Sequence, residues 1–154
     1  MQMRKTTLIA GVLAVAGMIG AQSALAGGHM KKYKIEDDAI KASLTGKAGD
    51  AAKGKKIAVN RKKGNCLACH AVSDLKNQPF HGDVGPSLDG VAGRYNEGEL
   101  RLRIVDAKKS NEDSIMPAFY KADGINRSLK KFKGKSVLSA QEVEDVVAYL
   151  LTLK

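Results

Sequence analysis

The sequence predicts an all-α fold, and three observations carry that prediction. The C-terminal stretch opens on Ser139-Ala140-Gln141-Glu142, a capping box in which side chains satisfy the first free backbone N–H groups of a helix. It continues with Val143, Val146, Val147, Leu150 and Leu151, the i, i+3, i+4, i+7, i+8 spacing of one apolar helix face. A second helical stretch covers 51–60, where Asp50 stands as N-cap and Ile57, Ala58 and Val59 supply the apolar part. No part of the chain alternates apolar and polar residues as a half-buried strand does.

The elements follow in chain order. Met1-Gln2-Met3-Arg4-Lys5 is a short basic start, 8–19 is uncharged, and Ala24-Leu25-Ala26 is a small-x-small site. That is the layout of a secretory signal peptide over 1–26. An uncleaved anchor is the alternative, but the apolar run falls short of the ~20 residues of a membrane span. Cleavage after Ala26 is expected, and no second apolar segment of spanning length follows. Residues 27–48 form an N-terminal extension. Within it 27–34 reads as a mobile tail, and 35–42 as a short helical turn ended by Ser43-Leu44-Thr45-Gly46. A single domain is expected over 49–154.

In the first helix of that domain, Gly54 costs ~1 kcal/mol against Ala, which points to a close approach by another helix. Residues 73–94 are rich in loop punctuation: Pro79, Gly82, Gly85, Pro86, Gly90 and Gly93. Leu100, Leu102, Ile104 and Val105 mark a third helix over 97–107, and 110–138 reads as mostly irregular.

The chain carries a net charge of +10, of which the leader supplies Arg4 and Lys5. A basic balance can mean nucleic acid, but an exported protein meets none, so anions and acidic protein surfaces are the expected partners. Arg61-Lys62-Lys63 and the run Arg127, Lys130, Lys131, Lys133 and Lys135 are the basic clusters. Each reads either as a steering patch or as a solvated lysine-rich surface.

The chemistry lies in Cys66-Leu67-Ala68-Cys69-His70. Two thiols and three histidines are a poor stock for a structural zinc site, which takes four ligands. A thioredoxin-like pair would want a βαβ pattern that is not present. A histidine directly after the second cysteine is the signature of covalent haem attachment. On one helical turn both thiols can meet the haem vinyl groups, and the next residue presents its imidazole to the iron.

The sixth iron ligand is sought among Met30, Met116, His29 and His81. His29 and Met30 fall in the expected tail. His81 sits soon after His70 on a Pro/Gly loop and reads as a solvated or hydrogen-bonding histidine. Met116 lies beyond a helix and precedes Pro117, which lets the chain return on the far side of the haem. Core packing is its alternative role. Met116 is the expected ligand.

These segments resemble the cytochrome c family. Gly49-Asp50-Ala51-Ala52-Lys53-Gly54-Lys55-Lys56-Ile57 is similar to its N-terminal helix, and Gly85-Pro86-Ser87-Leu88-Asp89-Gly90-Val91-Ala92-Gly93-Arg94 to its proline loop. Met116-Pro117-Ala118-Phe119 resembles its distal methionine motif, and 146–153 with Tyr149 its C-terminal helix. The resemblance implies a cytochrome c-like fold around one covalent haem c. It implies thioethers at Cys66 and Cys69, axial ligands His70 and Met116, and a Pro86 carbonyl that accepts a hydrogen bond from His70. The sequence departs from the family at Ala58, where an aromatic is usual.

From about residue 43 to the C-terminus the chain resembles more narrowly the SoxX family. Those proteins are the small monohaem subunits of SoxAX cytochrome complexes in bacterial thiosulfate oxidation. Ser43-Leu44-Thr45-Gly46, Asn65-Cys66-Leu67-Ala68-Cys69-His70, Pro79-Phe80-His81-Gly82-Asp83-Val84-Gly85-Pro86, Met116-Pro117-Ala118-Phe119-Tyr120 and 141–150 agree in order. This implies a periplasmic electron-transfer subunit in a heterodimer with a SoxA-like cytochrome, acting on a SoxYZ-like carrier and passing electrons to a downstream soluble cytochrome c. Both thiols are consumed by haem attachment, so the chain has no spare sulfur nucleophile and is not expected to be catalytic alone. A stand-alone cytochrome c feeding an oxidase shares the haem site and fold. A non-haem exported CxxC protein is the rival of a different class.

Overall fold

The computed structural model describes residues 30–124 and 130–154. The leader expected over 1–26, His29 and Arg127 lie outside the described residues. Among the described residues there are four α-helices: α1 (Ala51–Val59), α2 (Val91–Arg94), α3 (Glu97–Asp106) and α4 (Ala140–Leu150). Short 3-10 turns lie at Cys66–Ala68, Ser73–Leu75, Ala107–Lys109 and Lys130–Phe132. Among the described residues the only β feature is an isolated bridge, as an all-α fold requires. No helix among them is long and apolar enough to cross a membrane.

Capping decides where the long helices begin. Asp50 accepts hydrogen bonds from the backbone N–H groups of Ala52 and Lys53 and starts α1. Asn96 with Glu99 and Ser139 with Glu142 form complete capping boxes on α3 and α4. The core then assembles between the apolar faces. Leu102, Val105 and Val143 are completely shielded from solvent, and Val146, Val147 and Tyr149 nearly so.

The main contact is between the first and last helices. A Cβ on Gly54 would lie 1.9 Å from the Asp145 carbonyl oxygen and 2.8 Å from the Tyr149 Cβ. A Cβ on Gly49 would lie 2.0 Å from the Glu144 carbonyl oxygen. Backbone therefore meets backbone, and only glycine fits. Ala58, where the family usually carries an aromatic, is itself buried and leaves this crossing intact.

The N-terminal extension differs from expectation. Residues 35–42 do not form a helical turn. Asp37 and Asp38 both take positive φ (52° and 56°), the signature of a type I′ turn, which Asp tolerates better than most residues. Glu36 and Ala39 close it with reciprocal backbone hydrogen bonds of 2.9 and 3.0 Å. Nor is the described part of the expected tail, 30–34, free. The Lys31 N–H donates to the Tyr120 hydroxyl at 2.6 Å, and Met30 and Tyr33 pack on the core.

The extension is fastened further along by Arg101, which is 1% exposed. Its Nε lies 3.0 and 3.1 Å from the two Glu144 carboxylate oxygens, and its Nη1 donates to the Ile40 carbonyl at 2.7 Å. Glu144 also accepts from the Leu44 N–H at 2.7 Å, and Glu97 pairs with the remaining guanidinium nitrogen. One buried cation thus joins α3, α4 and the extension. The loop-rich stretch 73–94 also holds more order than its composition suggests, in the Ser73–Leu75 turn and in α2.

Candidate functional site

The site begins where α1 ends. Asn60 turns the chain: its carbonyl accepts from the N–H groups of Lys63 (2.9 Å) and Asn65 (3.1 Å), and its side chain from Lys62 (2.9 Å). The next turn is Cys66–Ala68. The Cys66 carbonyl accepts from both Cys69 (3.1 Å) and His70 (3.0 Å), which places all three motif residues on one turn. Leu67 points into the core and anchors it.

Neither cysteine is in a disulfide, and both are half-buried. Burial pushes the Cys66 thiol up to about 11, so as a free group it would be a protonated thiol at neutral pH and a poor nucleophile.

The His70 ring is oriented by the loop that faces it. Its Nδ1 lies 2.7 Å from the Pro86 carbonyl oxygen. A carbonyl can only accept, so Nδ1 carries the proton and Nε2 is left free to accept or to ligate. A Cβ on Gly85 would sit 2.4 Å from His70 Cε1, and one on Gly82 2.2 Å from the Ala68 carbonyl oxygen. The loop presses on the motif so closely that only glycine is accommodated. Two backbone hydrogen bonds of 2.8 Å hold it there, from Gly82 N–H to Leu67 and from Gly85 N–H to Cys69. A histidine with a fixed tautomer, two uncommitted thiols on the same turn and a glycine-lined facing loop fit a covalently attached haem c. Among the described residues no three His, Cys, Asp or Glu side chains gather as a metal site.

Met116 is half-buried and packs at the edge of the core. The chain beyond it is tied to α3 by hydrogen bonds from Phe119 N–H to Ile104 (3.1 Å) and from Tyr120 N–H to Val105 (3.2 Å). Met30, the competing methionine, packs against the core from the extension. His81 spends both ring nitrogens on backbone: Nδ1 accepts from Val72 N–H at 3.1 Å and Nε2 donates to the Leu75 carbonyl at 3.1 Å.

Sequence reasoning missed two clusters. One is the Arg101 clasp, whose signal was a charged residue between Leu100 and Leu102. The other joins Tyr149, Asp74 and Lys55: the tyrosine hydroxyl donates to Asp74 at 2.9 Å, and Lys55 pairs with the same oxygen at 2.8 Å. The Lys55 and Tyr149 hydrogen bonds hold the Asp74 carboxyl below the usual range. Of the basic clusters, Arg61, Lys62 and Lys63 are exposed, and Lys63 pairs with Glu142.

The cytochrome c family model matches residues 51–154. A chain in the crystal structure of SoxXA from P. pantotrophus superposes with a TM-score of 0.75 at 40% sequence identity, covering 82% of this chain and 98% of that one. The protein is a SoxX-type member of the cytochrome c family. No curated protein matches the sequence. Membership in the cytochrome c family implies covalent haem c, and Cys66, Cys69 and His70 supply the attachment motif for it. The SoxX likeness extends beyond the haem motif, since a match over 82% of the chain must include much besides the Cys66–His70 turn.

Proposed function

We propose that this chain is the haem-bearing electron-transfer subunit of a periplasmic SoxAX-type complex that couples thiosulfate oxidatively to a cysteine of a SoxYZ-type carrier. In this reading residues 1–26 are a signal peptide, 27–48 an N-terminal extension and 49–154 the cytochrome c domain. The observation that carries it is the 40% identity to a SoxXA chain over 98% of that chain's length. Cys66 and Cys69 would hold the haem, with His70 and Met116 as axial ligands and Pro86 orienting His70. A single haem c supplies one-electron transfer when bound.

The chain's own residues limit what it does. Coupling joins the carrier thiolate to the terminal sulfur of thiosulfate, and two electrons leave as the sulfur–sulfur bond forms. That step needs a thiolate at the reacting centre. This chain's two cysteines are committed to haem attachment, so the SoxA-like partner must provide the sulfur chemistry. The electrons then pass through this subunit, in separate steps, toward a soluble cytochrome c. The Pro86 carbonyl keeps the His70 Nδ1 proton in place, which raises the basicity of Nε2 and keeps the ring in one orientation.

The test mixes purified holoprotein with thiosulfate and follows the visible spectrum. Alone it should stay largely oxidised, and it should become reduced once a SoxA-like cytochrome and a carrier are added. Fast, complete reduction of the isolated chain by thiosulfate would sink this division of labour. Electron exchange with an oxidase, without binding to any SoxA-like chain, would favour a stand-alone shuttle.

A further inference from the structure

We propose that His81 is the positioning residue for His70: it locks the loop carrying Pro86 against the haem-attachment turn, and it does so only in its neutral form. The function proposed above assigns His81 no role. Its surroundings do. Nδ1 accepts from the Val72 N–H and Nε2–H donates to the Leu75 carbonyl, both at 3.1 Å. Val72 and Leu75 are 1% and 2% exposed, so their peptide groups sit on a well-packed stretch that directly follows His70. The imidazole therefore bridges that stretch to the loop that turns back over the motif.

Only one protonation state makes both bonds. Val72 N–H needs an acceptor, and the Leu75 carbonyl needs a donor. The neutral Nε2–H tautomer satisfies the two at once. A second proton at Nδ1 would remove the acceptor and set two N–H groups against each other.

The backbone beside His81 shows that the loop is held and not merely resting. Phe80 takes φ +64°, a conformation that strains a bulky residue and survives only where the surroundings over-determine it. Its own side chain supplies no compensation, being 82% exposed. What holds the turn is on its far side: the two His81 bonds and the 2.8 Å hydrogen bond from Gly82 N–H to Leu67. From there the chain runs through Gly85, against the His70 ring, to Pro86, whose carbonyl accepts the His70 proton at 2.7 Å. Releasing His81 loosens the start of that run and lengthens the His70–Pro86 hydrogen bond at its end.

The charged groups facing His81 have opposite effects. Asp89 lies in the adjoining loop, where it accepts from the N–H and hydroxyl of Ser73. Lys76 lines the same shallow surface depression as His81. An imidazolium there would be drawn to one and repelled by the other. Neither supplies a new acceptor for the Val72 N–H, so protonation leaves that donor stranded.

A weaker His70–Pro86 bond makes His70 a poorer donor to a metal. The reduction potential of the holoprotein should thus rise when the two His81 bonds are lost. His81→Gln keeps one acceptor and one donor. His81→Ala keeps neither. Potentiometry at neutral pH should find H81Q at the wild-type potential and H81A above it. Amide exchange at Val72 should speed up in H81A and stay slow in H81Q. The same potential in all three proteins, or wild-type exchange at Val72 in H81A, overturns the proposal. The electrochemical arm rests on the haem reading, and the two fail differently: without a bound haem no wave appears at all, whereas with one the potentials can still coincide.

Discussion

Met116 sits between two exposed neighbours, Ile115 and Pro117, and its backbone N–H is taken by the Ser114 hydroxyl at 3.2 Å. Nothing in this short loop binds the thioether, while the residues after it are sewn to the end of α3. That arrangement leaves the sulfur free to serve a ligand while its backbone is held. With Met116 as the sixth ligand, Met116→Ala should abolish the long-wavelength sulfur-to-iron absorption of the oxidised protein and lower its potential, because a thioether ligand raises it. Met30→Ala should leave the band intact. A spectrum in which the Met30 variant loses the band and the Met116 variant keeps it would reassign the ligand. At this scale the motif cysteines and His70 were legible from spacing alone. The His70–Pro86 contact that fixes the tautomer followed from the family resemblance and not from spacing, because it depends on a carbonyl that arrives from a distant loop.

At the scale of elements, the crossing of α1 and α4 is the contact on which the fold turns. Two effects compete in Gly54→Ala. Replacing a helical glycine gains about 1 kcal/mol of helix propensity. Against this, the new Cβ would stand 1.9 Å from the Asp145 carbonyl oxygen, and backbone cannot swing aside as a side chain can. Overpacking of this kind costs about 1–3 kcal/mol, so the variant should be net destabilised, and Gly54→Leu more so. Chemical denaturation of the holoproteins measures it, and a stabilised G54A would show that the helices do not meet this closely. The glycine's position in an otherwise good helix already pointed to such an approach. By contrast, 35–42 is not helical as its sequence suggests, because two adjacent aspartates suit a type I′ turn and that turn is closed by pairing, which composition does not display.

At the scale of the whole molecule, Arg101 ties three separate parts together. Its guanidinium meets α4 through Glu144, its own helix through Glu97 and the extension through the Ile40 carbonyl. Glu144 is 3% exposed, so Arg101→Ala would leave a buried carboxylate with little more than the Leu44 N–H. Breaking a buried pair from one side costs about 3–5 kcal/mol. The variant should lose stability on that order in denaturant unfolding, and 30–48 should become susceptible to limited proteolysis before the domain unfolds. Unchanged protection of that segment would mean that its other ties, among them Lys31 N–H to Tyr120 at 2.6 Å and Ile40 N–H to Gly98 at 3.0 Å, hold the extension without Arg101.

The sequence by itself determined the helical class, the capping box that starts α4 and the CxxCH turn, because these depend on neighbours within a few residues. It also carried enough ordered similarity to indicate a SoxX-type cytochrome. Only the tertiary structure decided what the extension and His81 do. Lys31 finds Tyr120, Ile40 finds Arg101 and His81 finds Val72 through contacts whose partners are settled when the whole chain packs. A buried hydrogen bond leaves no periodic trace in sequence, since any residue able to donate or accept at the right place in space will serve.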